Sequence, residues 1–383
     1  MRRMYLTTGE VDKIKVQSNT RVVLRKGSII TYSCPNEDKG VLRRIENKSS
    51  MFYASNASDI EIVGESDEII NGCGNLLINE REESLFGIIM LVNCNNIKIK
   101  NLTLINSLYW GILLDNCENV EIENVKIVSK WGRSNSGIEL ASCRNVHISN
   151  CVIDIGDTCI VLRSPTVRLT QNIIVEKCVF SSVWSSFRIG TDSVGDFNDI
   201  VLRDCTVRRA EGCFLKINPI DGGNVNNLLV ENINLEYSTG PIFIANGMRN
   251  WHKIDDTNTT FSSITGVTLR KINANVYISY SSLSDGVGDC LLISGNKKRK
   301  IKNVVIEDCV LNMPGGKNDK IEFGVSELED QYPEYYILGI APASGIFIRH
   351  AEDVIIKNVK VNLKDIDCRE KIVLEDVTES KIY

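Results

Sequence analysis

Between residues 134 and 227 the chain concentrates side chains that could do chemistry: the carboxylates Glu139, Asp157 and Asp192 and the cations Arg188 and Lys216. Grouped carboxylates suit acid and base work, one giving a proton to a leaving group while another takes one from water. Clustering also raises a carboxyl's hold on its proton, which keeps an acid protonated near neutral pH. Arginine and lysine beside such a group suit recognition of an anion. Each residue also has a plainer reading. Asp157 follows Gly156 and Asp192 follows Gly190–Thr191, so both fit turns. Glu139 alternates with Ile138 and Leu140, which turns it away from an apolar interior toward solvent. Arg188 and Lys216, flanked by apolar residues, point outward by the same logic. Trp110, Trp131 and Trp184 suit either a core or a flat platform for a ring-shaped ligand. His147, His252 and His350 stand alone and read as structural or surface residues, and Asp221–Gly222–Gly223 reads first as a tight turn.

These residues lie on a repeat. NNIKIKNLTLINS from Asn95, ENVEIENVKIVSK from Glu118, RNVHISNCVIDIG from Arg144, QNIIVEKCVFSSV from Gln171, NDIVLRDCTVRRA from Asn198 and NNLLVENINLEYS from Asn226 share one pattern. An Asn or Asp precedes apolar–x–apolar, then two polar residues, then a second alternating stretch. The anchors Asn96, Asn119, Asn145, Asn172, Asp199 and Asn227 are separated by 23, 26, 27, 27 and 28 residues. Later copies near Gly266, Asn303 and Asp353 follow at 39, 37 and 50 residues, which implies inserted loops, and an early copy begins near Asp59. Alternation of period two makes the segments strands. A coil of ~25 residues holding several short strands is the unit of a parallel β-helix. A leucine-rich repeat would need LxxLxLxxN and a helical segment, and neither is present. Asn at the turn suits left-handed backbone and lets amides of successive coils bond in a ladder. The expected fold is therefore all-β, a single-stranded right-handed parallel β-helix of about ten coils. One domain is expected over 1–383: residues 1–55 as a strand-rich lead-in or cap, 56–365 as coils and 366–383 as a C-terminal cap. Stacking would bring positions near 139, 157, 188 and 216 into one column, walled by the loops 246–264 and 312–342.

Composition narrows the rest. The formal net charge is −5 and no basic tract stands out, so neither nucleic acid nor a membrane surface is expected as a partner. No run of about 18 uncharged apolar residues suggests a span. Behind Arg2 and Arg3 there is no apolar leader, which predicts a cytoplasmic protein, or a secreted one if a leader has been removed. The thirteen cysteines are odd in number, and Cys94, Cys117, Cys143, Cys151, Cys178, Cys205 and Cys309 recur at similar points of the repeat. Reduced core thiols are expected, with no metal site, since there is no CxxC.

The order of motifs resembles the polygalacturonase-like glycoside hydrolases of family 28, bacterial members above all. NCNNIKIKNLTLINSLYWGILLDNCENVEIENVKI, SNSGIEL, IGDTCIVLRS, FRIGTDSVGDFNDI and YPEYYILGIAPASGIFIRHAEDVIIKNV carry the resemblance, from about residue 55 to 365. It implies hydrolysis of glycosidic bonds in a uronate-containing polysaccharide or oligosaccharide by an inverting acid/base mechanism, without a cofactor. One carboxylic acid protonates the leaving oxygen while a carboxylate activates water on the opposite face. The resemblance places the acid at Asp157; a glycosidase with a rearranged acid/base set would then use Asp192 or Glu139 as base. Arg188, Lys216, Trp110, Asn135 and Trp184 would bind substrate. The departures are specific: Ser136 stands where the family's N-x-D-G has aspartate, Thr158 where G-D-D has its second, Phe214 where R-x-K has arginine, and the stretch around Trp184 to Ser186 lacks the histidine of G-H-G. A hydroxyl is too weak a base to replace a carboxylate unaided. Two other functions compete. A lyase or epimerase would use Arg188 or Lys216 to neutralise a uronate carboxylate while a base removes the C5 proton. A non-catalytic carbohydrate-binding solenoid would have kept the cleft and lost the chemistry.

Overall fold

A computed structural model describes residues 1–33, 49–74, 86–131, 134–249, 261–278, 289–327 and 333–383. These residues are almost entirely strand and turn and form a right-handed parallel β-helix, the hand that strand twist imposes on parallel crossovers. They group into two compact units, Met1–Leu162 with Ile173–Ser182, and Arg163–Asn172 with Val183–Tyr383. No helix among them is long and apolar enough to cross a membrane. His252 lies outside the described residues, as do 250–260 and 328–332 of the two expected wall loops.

In the first unit Arg2–Leu6, Thr20–Leu24, Ser58–Asn71, Asn95–Ile105, Glu118–Ser129 and Arg144–Ser149 stack in parallel, in that order. A second row runs Ile14–Lys15, Ser49–Ser55, Phe86–Val92, Trp110–Asp115 and Ser136–Ala141. In the second unit Phe197–Ala210, Val225–Ser238, Ile264–Val276, Ile301–Glu307 and Ala343–Lys357 form one row. Ser185–Ser193, Cys213–Ile217, Ile242–Ala245, Leu291–Ser294 and Ala343–Lys357 form another. Parallel pairing extends past 56–365 in both directions, from Arg2 to the strand Glu370–Ile382.

The register matches like with like. Ile60, Ile97, Val120 and Val146 lie side by side and buried in the first unit, as do Ile200, Leu228, Val267, Val304 and Val354 in the second. A one-residue slip would turn every one of them outward, so burial pins the register. The repeat cysteines fill the same interior: every described cysteine but Cys368 is buried and none is in a disulfide. Burial pushes the Cys309 thiol up to about 11, and such a thiol behaves as a small hydrophobe.

Turns set the coil. The anchors Asn96, Asn119, Asn145, Asn172, Asp199, Asn227, Gly266, Asn303 and Asp353 all have positive φ. So do the residues five places on, Asn101, Asn124, Asn150, Lys177, Asp204, Asn232, Lys271, Asp308 and Asn358. Asn and Asp enter this region cheaply because their short polar side chains bond locally. Lys177 and Lys271 show that the coil imposes the geometry even where the residue type does not favour it. The side chains form the expected ladder. Asn119 donates to Asn95 at 3.0 Å and accepts from Asn145 at 3.1 Å. In the second unit Asn227 donates to Asp199 at 3.1 Å and Asn232 to Asp204 at 2.6 Å. Asn119→Ala should therefore cost about 1–2 kcal/mol, from left-handed strain and lost ladder bonds. Urea unfolding checks this, and Asn119→Gly should recover the strain share but not the ladder share. An alanine variant as stable as the parent would mean that the ladder contributes nothing.

Candidate active site

In the first unit the strand Ser136–Ala141 places Glu139 on the outer side of the coil, beside Leu113, which in turn lies beside Met90 and then Tyr53. Outer does not mean wet here. Met90, Trp110 and Leu113 form a buried apolar cluster with Tyr53, Val92 and Tyr109 against it. Glu139 is only 1% exposed, and its carboxylate accepts the Trp110 indole N–H at 2.9 Å. The expectation of a solvated Glu139 is thus corrected: alternation tells which way a side chain points, and the neighbouring aromatics decide what it meets. Trp110, 2% exposed, is a packing residue rather than an open platform.

Asn135 is fully buried, its amide donating to the Ser107 carbonyl at 2.8 Å and the Ser107 hydroxyl at 3.1 Å. It braces the loop ahead of Ser136 from within. Its carbonyl accepts the Asp157 backbone N–H at 3.1 Å, so the structure brings Asn135 and Asp157 together on successive coils. Asp157 itself is half-buried, on the loop between Val152–Ile155 and Ile160–Ser164. The Thr158 hydroxyl donates to its Oδ1 at 3.2 Å. Thr158 thus serves the carboxyl beside it. Trp131 is 44% exposed and its indole donates to Asn106.

In the second unit Arg188, on Ser185–Ser193, lies beside Lys216, on Cys213–Ile217, and Lys216 lies beside Phe243. Lys216 was expected at the surface, and the structure buries it at 1% exposure. Its ammonium meets the Glu334 carboxylate at 2.5 Å and sits 4.2 Å from the centre of the half-buried Trp184 ring. Burial pulls the Lys216 pKa down, and Glu334 opposes that fall. Arg188 reaches the other oxygen of Glu334 at 3.7 Å. Nothing in the local pattern around Lys216 could reveal Glu334, which lies 118 residues further along the chain.

Asp192 stands in a separate ion cluster of this unit. Arg163 approaches its carboxylate at 3.2 Å and Arg249 at 2.9 Å. Arg249 also pairs with the buried Asp221 at 2.9 Å. The turn at Asp221–Gly222–Gly223 is present, with Gly222 at φ +99°, and Asp221 adds to it the role of ion partner. The two remaining described histidines are structural: His147 faces Glu176, and His350 is buried between Asp376 and Glu327.

The sequence model of "Glycosyl hydrolases family 28" matches residues 13–326. A "Probable polygalacturonase" of Vitis vinifera is 25% identical over 203 residues, 49% of this chain and 41% of that protein. The chain thus spans about two fifths of the length of this curated relative. Among solved structures, the family 28 exopolygalacturonase of Yersinia enterocolitica superposes with TM-score 0.70 at 13% identity, over 99% of this chain and 72% of that one. The exopolygalacturonase of Thermotoga maritima superposes with TM-score 0.63 at 17% identity, over 94% and 84%. At such identity these two likenesses concern the fold.

Proposed function

Because this chain belongs to the glycosyl hydrolases of family 28, we propose that it hydrolyses glycosidic bonds of a uronate-containing polysaccharide or oligosaccharide, with Asp157 as the acid. The observation that carries the reading is the setting of Asp157. It is half-buried on a loop at the edge of its coil, anchored through its backbone to Asn135, with a neighbouring hydroxyl on its carboxyl. A carboxyl positioned by its backbone and by a neighbouring hydroxyl is the kind of group that can deliver a proton to a leaving oxygen. Glu139 and Asp192 have different surroundings, the first under Trp110 and the second against two guanidiniums. Ser136 and Thr158 cannot act as bases unaided, so each of these two carboxylates is a candidate for the base that activates water. Glu139→Gln and Asp192→Asn, assayed separately, identify it.

Incubation with a panel of uronate-containing glycans, followed by NMR of the first product formed, tests the reading. Release of a reducing end of inverted configuration is the expected result. An unsaturated product would point to a lyase instead. Binding without any product would favour a carbohydrate-binding solenoid, a reading supported by the missing carboxylates at positions 136 and 158.

A further inference from the structure

The surroundings of Lys216 bear on which sugar the protein accepts. Arg188, Lys216 and Phe243 follow one another across three adjacent strands on the outer side of the second unit. The Glu334 carboxylate lies across the two cations with one oxygen toward each, Oε2 at 2.5 Å from Lys216 and Oε1 at 3.7 Å from Arg188. Its side chain is 3% exposed and that of Lys216 1%. The segment carrying Glu334 is fastened on both sides. The Pro333 carbonyl accepts the Asn218 amide at 3.4 Å. The Tyr335 ring packs on Phe243 with centroids 5.3 Å apart, and its hydroxyl bonds the Cys290 carbonyl. The carboxylate is therefore held in place by the fold rather than resting on the cations as a loose surface partner.

Two adjacent cations on the outer side of such a coil suit a ligand carboxylate, but here a carboxylate of the chain itself already faces both of them. We propose that Glu334 is a specificity-determining residue: it stands where an anionic sugar would place its own carboxylate, so the unit accepted beside Arg188 and Lys216 is uncharged, a neutral sugar or an esterified uronate. The inference rests on the reading of the protein as one that acts on a uronate-containing glycan. The physical reason is like-charge exclusion. An incoming carboxylate would approach Glu334 with both cations already engaged and poorly hydrated, and repulsion of this kind is how sites reject a close analogue. An ester in the same position brings no charge and meets no such penalty.

The test compares a free-acid uronate oligosaccharide with its methyl-esterified counterpart, by calorimetric binding and by initial rate of cleavage. The full chain should favour the ester by about tenfold or more, a discrimination ordinary for one charged contact. Glu334→Gln, which keeps shape and removes the charge, should tighten binding of the free acid by about tenfold and change the ester by less than about threefold. The parent protein alone can overturn the inference: cleavage of both with preference for the free acid leaves the glycosidase reading intact and removes the role of Glu334. A folded Glu334→Gln variant with no gain for the free acid overturns it as well. If neither oligosaccharide is bound or cleaved by parent or variant, the glycosidase reading falls and this inference with it.

Discussion

Replacing Asp157 by asparagine should lower glycan hydrolysis by about 10²–10⁴-fold, the usual worth of a general acid. The substitution is isosteric and keeps the carbonyl oxygen that accepts the Thr158 hydroxyl. The backbone bond from residue 157 to the Asn135 carbonyl is untouched. Thermal melting and circular dichroism should therefore match the parent, and the loss should fall on the rate of the chemical step rather than on substrate binding. A substrate with a better leaving group needs less help from an acid. An activated aryl glycoside should accordingly lose much less rate than the natural linkage, a signature that a purely structural role would not produce. A variant with full activity on a glycan that the parent cleaves would remove Asp157 from the mechanism.

The largest expected effect on stability is at Arg369. Its guanidinium is 1% exposed and bonds Asp289 at 2.7 Å and Asp367 at 2.8 Å, and it also donates to the Ala341 carbonyl at 3.1 Å. Burial raises the Asp289 pKa in spite of this arginine. Asp367 is also pushed up by burial, but the Arg369 side chain and the backbone amides of Arg369 and Lys317 outweigh that and bring it below the usual range. Arg369→Met fills similar space and takes the guanidinium from both carboxylates, leaving Asp289 with Lys317 at 3.9 Å and Asp367 with the backbone N–H groups of residues 317 and 369. Removing one partner of a buried ion pair typically costs about 3–5 kcal/mol. The sign of the pH dependence follows. Burial already raises the Asp289 pKa in the fold, and loss of the arginine removes the largest influence opposing that rise. The Asp289 carboxyl is then harmless below its unfolded pKa and costly as pH rises through the folded one. The deficit should accordingly shrink between pH 7 and pH 4.5, measured as the shift in urea midpoint against the parent at each pH. An equal deficit at both would assign the loss to packing rather than to charge.

Much of the architecture was legible in the residues alone, and the reason is local. Alternation of period two and a turn residue at each anchor are short-range signals, repeated so often that single exceptions such as Lys177 and Lys271 do not obscure them. The left-handed turns, the Asn ladder and the reduced core cysteines all follow from that repetition, and the ordered motifs around Asp157 pointed to family 28. The surroundings of the site were decided elsewhere. Glu139 and Lys216 alternate as outward-facing residues should, yet both are buried, because a neighbouring aromatic cluster covers one and the Glu334 segment covers the other. Lys216 and Glu334 lie 118 residues apart, Arg369 and Asp289 80, and Arg249 and Asp192 57. Each such pairing occurs once and depends on where an inserted loop returns to the coils, which no short window of sequence encodes. Direction within a coil is a property of the backbone repeat, whereas exposure and charge partner are properties of whatever the chain lays on top.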